Sequence, residues 1–113
     1  MIIRGGENIF PAEIEHAVRA LDQVADVAVI GVPDERYGEE LMAWVILREG
    51  ASLTPEGVRE FCRGRIAHYK IPRYVKLVDG FPMTVTGKVQ KYRMREQATD
   101  ELSPGTPASA RTA

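Results

Sequence analysis

Residues 24–32, Val-Ala-Asp-Val-Ala-Val-Ile-Gly-Val, set the strongest limit on what this chain can fold into. Apart from Asp26 and Gly31, every residue in the run is apolar, and most are small or β-branched, so neither side of a strand here is polar enough to face water. Such a strand is buried on both faces, and the chain must cover both sides of its sheet. A second apolar run, residues 41–47, follows a polar loop at residues 33–38 that is short enough for an antiparallel pair. At 113 residues the chain offers one domain in which to find the covering layers.

Two helical patterns are available. Pro11 suits a first helical position, and Glu13 and Glu15 follow where the helix dipole favours acidic groups. Ile14, Ala17, Val18 and Leu21 recur at helical spacing, predicting an amphipathic helix over 11–21. Thr54 is a fitting N-cap for a second helix, with Pro55 behind it and Leu53 placed to staple onto Val58. Its stripe is Val58, Phe61, Cys62 and Ile66; Gly64 weakens the last turn, and Arg59, Arg63 and Arg65 stay outside. The backbone before Pro72 is expected to be extended. A third strand is predicted at 74–78, a turn at Asp79-Gly80, and a short helix from Lys91 to about Gln97. Met1-Ile2-Ile3 reads as a short extended piece, and so bare a start suggests a segment of a longer polypeptide. The sum is an α+β fold: a small, mostly antiparallel three-stranded sheet flanked by helices, with a short N-terminal strand and a lysine-bearing loop. The ordered domain is expected over 1–98. Residues 99–113, rich in Ser, Pro, Ala and Thr, read as a disordered tail.

Several chemistries are excluded. His16 and His68 lack partners at metal-ligand spacing, so no metal site is expected. No nucleophile motif is present, and Val89 after Lys88 rules out a P-loop, which requires Ser or Thr there. No apolar run approaches the length of a membrane span, and the first residues are not a signal peptide. One cysteine, Cys62, cannot form an internal disulfide, which fits a reducing compartment such as the cytoplasm. The charge is polarised: residues 1–58 carry four Lys/Arg against eleven Asp/Glu, and residues 59–96 carry ten against three. Such a basic half suits an anionic partner, unless it is simply a solvated face.

Two loops remain as candidate sites. In Phe81–Tyr92, Lys88 directly follows Gly87 in a turn between Val85 and Val89, and a long-stemmed ammonium there suits phosphate or carboxylate oxygens. An ordinary surface lysine is the plain alternative. At the other end of the chain, Gly5-Gly6 makes a backbone that a ligand can approach closely, or merely a turn.

These residues resemble a known family. Arg4-Gly5-Gly6-Glu7-Asn8-Ile9-Phe10-Pro11, with Glu13-Ile14-Glu15 after it, is similar to the loop that opens the C-terminal domain of adenylate-forming enzymes. Val29–Asp34, Tyr37-Gly38-Glu39, Tyr69-Lys70-Ile71-Pro72 and Pro82–Lys91 fit the same pattern in the same order. The resemblance runs from Ile2 to about Glu96 and is to acyl-CoA synthetases (fatty-acid–CoA ligases). It implies a mobile lid over a large N-terminal domain. A carboxylate attacks the α-phosphate of ATP, releasing pyrophosphate, and the coenzyme A thiol then displaces AMP. By the same resemblance Lys88 is the adenylation lysine, and Gly5, Gly6 and Glu7 belong to the loop lining the pantetheine tunnel. Tyr37 and Tyr69 touch the coenzyme nucleotide, and Arg4, Lys70 and Arg93 are placed to pair with its phosphates. Mg2+ would accompany ATP outside this chain, and the acid pocket would also lie elsewhere, so the chain alone is expected to be inactive.

Plainer roles stand beside these: Glu7 as a helix cap, the tyrosines as packing, the cations as solvated surface charge, and Trp44 as core. Glu7-Asn8-Ile9 and Thr86-Gly87-Lys88 favour a coenzyme A ligase over an adenylation domain that loads a carrier protein, and Gln90 stands where luciferase-like relatives usually have Asp. A stand-alone module binding nucleotide, coenzyme A or nucleic acid is the other alternative. No row of base-stacking aromatics supports nucleic acid.

Overall fold

The computed structural model describes residues 1–102. The chain divides into two compact units, Met1–Gly80 and the part from Phe81 onward.

In the first unit, strands β1 (Ile2–Arg4) and β2 (Glu7–Ile9) form an antiparallel hairpin, with Arg4 opposite Glu7. Gly5 and Gly6 are its two-residue loop, with φ of 56° and 87°. Positive φ at both central residues is what the type I′ hairpin turn requires, and glycine meets it without steric cost. Strand β2 was not predicted, because three residues carrying Glu and Asn show no apolar alternation.

Helix α1 (Pro11–Arg19) begins at the expected proline and buries Ile14 and Val18. Each such side chain contributes roughly 1.5–3 kcal/mol on leaving water. Strands β3 (Val24–Asp34) and β4 (Gly38–Leu47) pair antiparallel, with Val27 opposite Val45 and Val29 opposite Ala43. Both faces are buried, as the opening run required. Val27, Val29, Leu41, Ala43 and Val45 join Ile14, Val18, Val58 and Cys62 in one core, and Ala28, Ile30, Met42 and Trp44, of the other parity, are also buried. Trp44 is therefore core, its indole Nε1–H reaching Met42 Sδ at 3.2 Å. Strand β3 lies at an edge of the sheet, and the carboxylate of Glu15 on α1 accepts the Val29 N–H at 2.9 Å. An open edge is thus blunted by a side chain.

The expected polar loop at 33–38 shrinks to three residues, because Asp34 still pairs with Gly38. The Asp34 carboxylate accepts the N–H groups of Arg36 and Tyr37 at 3.0 and 2.8 Å, and Gly38 has φ of 83°. An Asx turn at Asp34 thus leads the chain to a left-handed glycine where β4 begins.

Helix α2 (Pro55–Cys62) is capped as predicted, Thr54 Oγ1 accepting the Gly57 N–H at 3.0 Å. It ends earlier than the apolar stripe suggested. Arg63 leaves the helix, Gly64 has φ of 83°, and Arg65 N–H reaches the Cys62 carbonyl at 3.0 Å. Gly64 therefore supplies the third residue of a type II turn rather than weakening a helix, and Ile66 packs on the core from beyond it. The segment expected to be extended holds one 3-10 turn at His68–Lys70, and only Ile71, before Pro72, takes the extended form. Strand β5 (Tyr74–Leu77) then joins β4 in parallel. The sheet is thus mixed, with the longer pairing antiparallel. A connection carrying a whole helix permits the parallel one.

In the second unit, Met83 and Val89 form an antiparallel bridge around the lysine loop. Helix α3 (Lys91–Leu102) buries Met94 and Ala98, one turn apart on one face. It runs four residues past the predicted domain limit at 98, so Thr99–Leu102 are helical rather than tail. The remainder of the expected disordered tail lies outside the described residues.

Candidate functional site

Around the first hairpin, four side chains converge on the double-glycine turn. The Gly5 N–H donates to the Tyr37 carbonyl at 2.9 Å, and a Cβ on Gly5 would meet the Tyr37 ring at 3.2 Å. The Arg4 guanidinium lies over that ring, 3.9 Å from its centroid, and Arg36 approaches the same ring at 5.2 Å. Arg4 Nε donates to Glu40 Oε1 at 2.8 Å. Glu40 is 1% exposed and also accepts its neighbour Leu41 N–H at 3.0 Å. One strand residue earlier, Glu39 Oε1 accepts the Ile3 N–H at 3.0 Å.

The two glycines are not equivalent. Gly5 is crowded by Tyr37, whereas nothing lies within 4 Å of where a Gly6 Cβ would stand. Gly6 is the one with open space beside its backbone.

Arg4 is accordingly turned toward Glu40 and Tyr37 rather than standing as a free phosphate partner. Lys70 is engaged as well, its ammonium 3.0 and 2.8 Å from the two carboxylate oxygens of Glu13. The hydrogen bond it donates to Glu13 raises the Lys70 pKa, with smaller support from Tyr69 and Glu7. Tyr69 is half-buried against the core, its ring 5.7 Å from the Lys70 ammonium. Glu7 is exposed in β2 and caps nothing: helix α1 starts after Phe10 with no side-chain cap.

Lys88 belongs to the second unit. Thr84 and Lys88 face each other across a three-residue loop: Thr84 N–H donates to the Lys88 carbonyl at 2.9 Å, and Gly87 N–H to the Thr84 carbonyl at 3.0 Å. Thr84 Oγ1 accepts the Lys88 N–H at 3.0 Å and shares a hydrogen bond with Thr86 Oγ1 at 2.9 Å. Gly87 has φ of 88°, the left-handed third loop residue with which a three-residue hairpin closes. The expected anchors, Val85 and Val89, are half right. Met83 pairs with Val89, and Val85 stands fully exposed at the tip. The Lys88 side chain is exposed, free to meet an anion. On α3, the Arg93 guanidinium is 3.4 Å from the Tyr92 hydroxyl, and that contact raises its pKa.

The geometry thus groups Arg4, Gly5 and Tyr37, and separately Tyr69 and Lys70, while Lys88 sits on its own pinned hairpin. Glu40, Asp34 and Thr84 were not singled out from sequence. A glutamate adjoining the apolar run at 41–47 was the available sign of a buried charge. Thr84, four residues before Lys88, was the sign of a side-chain lock. Among the described residues, no group of three or more His, Cys, Asp and Glu side chains is placed to hold a metal ion. No helix there is long and apolar enough to cross a membrane.

Residues 13–88 match the family model of the AMP-binding enzyme C-terminal domain, and the chain belongs to that family. The particular relatives follow the same line. The chain is 50% identical over 100 residues to the Putative acyl-CoA synthetase YngI of Bacillus subtilis (strain 168), covering 88% of this chain and 18% of that protein. It is 50% identical over 103 residues to the mitochondrial Medium-chain acyl-CoA ligase ACSF2 of Bos taurus, covering 91% and 17%. The crystal structure of ATP-bound MatB from Rhodopseudomonas palustris superposes with a TM-score of 0.84 at 39% identity, covering 87% of this chain and 20% of that one. The chain therefore spans about a fifth of the length of the proteins it matches.

Proposed function

We propose that this chain works as the mobile C-terminal domain of an ATP-dependent acid–CoA ligase. In that reaction a carboxylate attacks the α-phosphate of ATP to give an acyl-adenylate and pyrophosphate. The coenzyme A thiol then forms the thioester and releases AMP. The chain would act with a large N-terminal domain that holds the acid, ATP and its Mg2+. The names of the bacterial and bovine relatives support the ligase class, and the ATP bound to MatB supports the nucleotide. A fatty acid is the substrate class the bovine relative's name favours. A reducing compartment such as the cytoplasm rests on the lone buried Cys62 alone, since the bovine relative is named mitochondrial.

The observation that carries the reading is the exposed Lys88 on a hairpin whose backbone is hydrogen-bonded on both sides of the loop. Adenylation brings together two anions. A preorganised ammonium between carboxylate and phosphate oxygens offsets their repulsion and stabilises charge in the transition state. For the second step, Gly6 offers bare backbone with open space beside it, which a thin pantetheine arm would occupy and an added side chain would take up instead. Gly5 serves this arrangement indirectly, by letting the turn close on Tyr37. Arg4 and Lys70, already paired with Glu40 and Glu13 respectively, are weaker choices for the coenzyme phosphates. Tyr37 retains a half-buried ring flanked by two guanidinium groups, and remains the better candidate for nucleotide contact.

The test joins this chain to the large domain of the Bacillus subtilis relative in place of that protein's own matching segment. Lys88→Ala is expected to lower acid-dependent ATP–pyrophosphate exchange by on the order of a hundredfold, as removal of a transition-state donor does elsewhere. Exchange at the parental rate in the variant would exclude Lys88 from adenylation.

A further inference from the structure

Among the described residues, Glu40 is the one charged side chain that is fully buried, and its partner lies on another element. A carboxylate withdrawn from water is tolerated when it is paired and hydrogen-bonded, and both acceptor contacts here fall on Oε1. Its ion pair is with Arg4, the residue immediately before the double-glycine turn. Arg4 in turn lies over the ring of Tyr37, whose carbonyl holds the Gly5 N–H. Tyr37 is itself fixed by the Asp34 carboxylate. A closed circuit therefore runs from β4 through Glu40, Arg4, Tyr37 and Gly5 back to the hairpin.

The geometry points to Glu40 as a positioning residue for thioester formation: through Arg4 it holds the Gly5–Gly6 turn in the one pose that leaves Gly6 open. This rests on the proposed ligase reading and deepens it. Glu40 touches no substrate in this role. It acts by denying the turn its alternatives, since two adjacent glycines otherwise have wide conformational freedom. Arg4 thereby changes from a candidate phosphate ligand into the arm of a latch.

Two measurements test this. In the 113-residue chain itself, Glu40→Leu and Arg4→Met should each speed hydrogen exchange at the Gly5 amide by about tenfold or more, because the bond to the Tyr37 carbonyl loses its support. In the chimera described above, the same variants should lower thioester formation from preformed acyl-adenylate by about tenfold or more, as small misplacements of a reacting site do. ATP–pyrophosphate exchange should stay within about twofold of the parent. The double variant should be no worse than either single one, since both cut the same circuit. Glu40→Gln, which keeps the shape and an acceptor for Arg4, should fall between parent and Glu40→Leu, and it carries the test if the leucine variant does not fold. Parallel loss of both half-reactions would make Glu40 a purely structural residue and overturn the inference, as would unchanged thioester formation alongside faster Gly5 exchange. A parental chimera that adenylates but never forms thioester would remove the ligase reading instead.

Discussion

The Thr84 hydroxyl accepts the backbone N–H of Lys88 at 3.0 Å, and the two residues are joined again by Thr84 N–H on the Lys88 carbonyl at 2.9 Å. One threonine thus holds the backbone of the lysine from both its amide and its carbonyl. Replacing Thr84 by valine keeps the shape and removes the hydroxyl contact. A net hydrogen bond of about 1 kcal/mol corresponds to a factor of roughly five. Thr84→Val should therefore lower ATP–pyrophosphate exchange in the chimera by about that factor, with Thr84→Ser close to the parent. Equal rates in the two variants would show that the hydroxyl does not position the lysine.

The two turn glycines should respond differently to substitution. Both have positive φ, which costs a side-chain-bearing residue roughly 1–2 kcal/mol, with asparagine among the better tolerated. At Gly6 there is open space, whereas at Gly5 an added Cβ must also displace the Tyr37 ring 3.2 Å away. Gly5→Asn should consequently destabilise the chain more than Gly6→Asn in thermal unfolding. Gly6→Val should be worse than Gly6→Asn at the same position. The reverse order at positions 5 and 6 would contradict the packing of Tyr37 on the turn.

Lys70 carries a pH signature. Its hydrogen bond to Glu13 raises its pKa in the folded chain above the unfolded value. The stabilisation from this pair is complete below the unfolded lysine pKa and is lost as pH rises through the higher folded one. The difference in Tm between the parent and Lys70→Met should therefore be steady from neutral pH into the ordinary lysine range and shrink above it. A difference that persists unchanged at the alkaline end would assign the effect to packing of the lysine stem instead.

Cys62 should be chemically silent in the native chain. It is buried at the end of α2, and burial raises its thiol pKa, against a smaller opposing effect of Arg65. Both circumstances disfavour the reactive thiolate. Alkylation near neutral pH should be at least on the order of a hundredfold slower than in denaturant, because it must wait for opening of the core. Mass spectrometry of the labelled chain measures this directly, and rapid native labelling would show that α2 opens locally.

Legibility from sequence followed the range of the forces involved. Where one local pattern sufficed, the prediction held: Pro11 began α1, Thr54 capped α2, and the apolar run at 24–32 became a strand buried on both faces. Where an element depends on a pairing strand or a glycine turn rather than on its own apolar spacing, the pattern was silent or misleading. Strand β2 exists because β1 pairs with it, and α2 stops at Cys62 because Gly64 makes a turn there, although Ile66 continued the helical spacing. Lys88, Gly5 and Gly6 were visible as motif residues. Glu40 and Thr84 were not, since a glutamate in a strand and a threonine in a loop look ordinary until their partners are known.

What the sequence determined by itself, then, was the layered α+β plan and the residues able to carry chemistry. Apolar periodicity, caps and glycine conformation are properties of neighbouring residues. Only the tertiary structure decided which charges are available. It turned Arg4 inward onto Glu40 and tied Lys70 to Glu13, partners 36 and 57 positions away, and left Lys88 exposed on its hairpin. An ion pair forms where folding brings opposite charges together, and nothing in the local order of residues specifies which charges those will be.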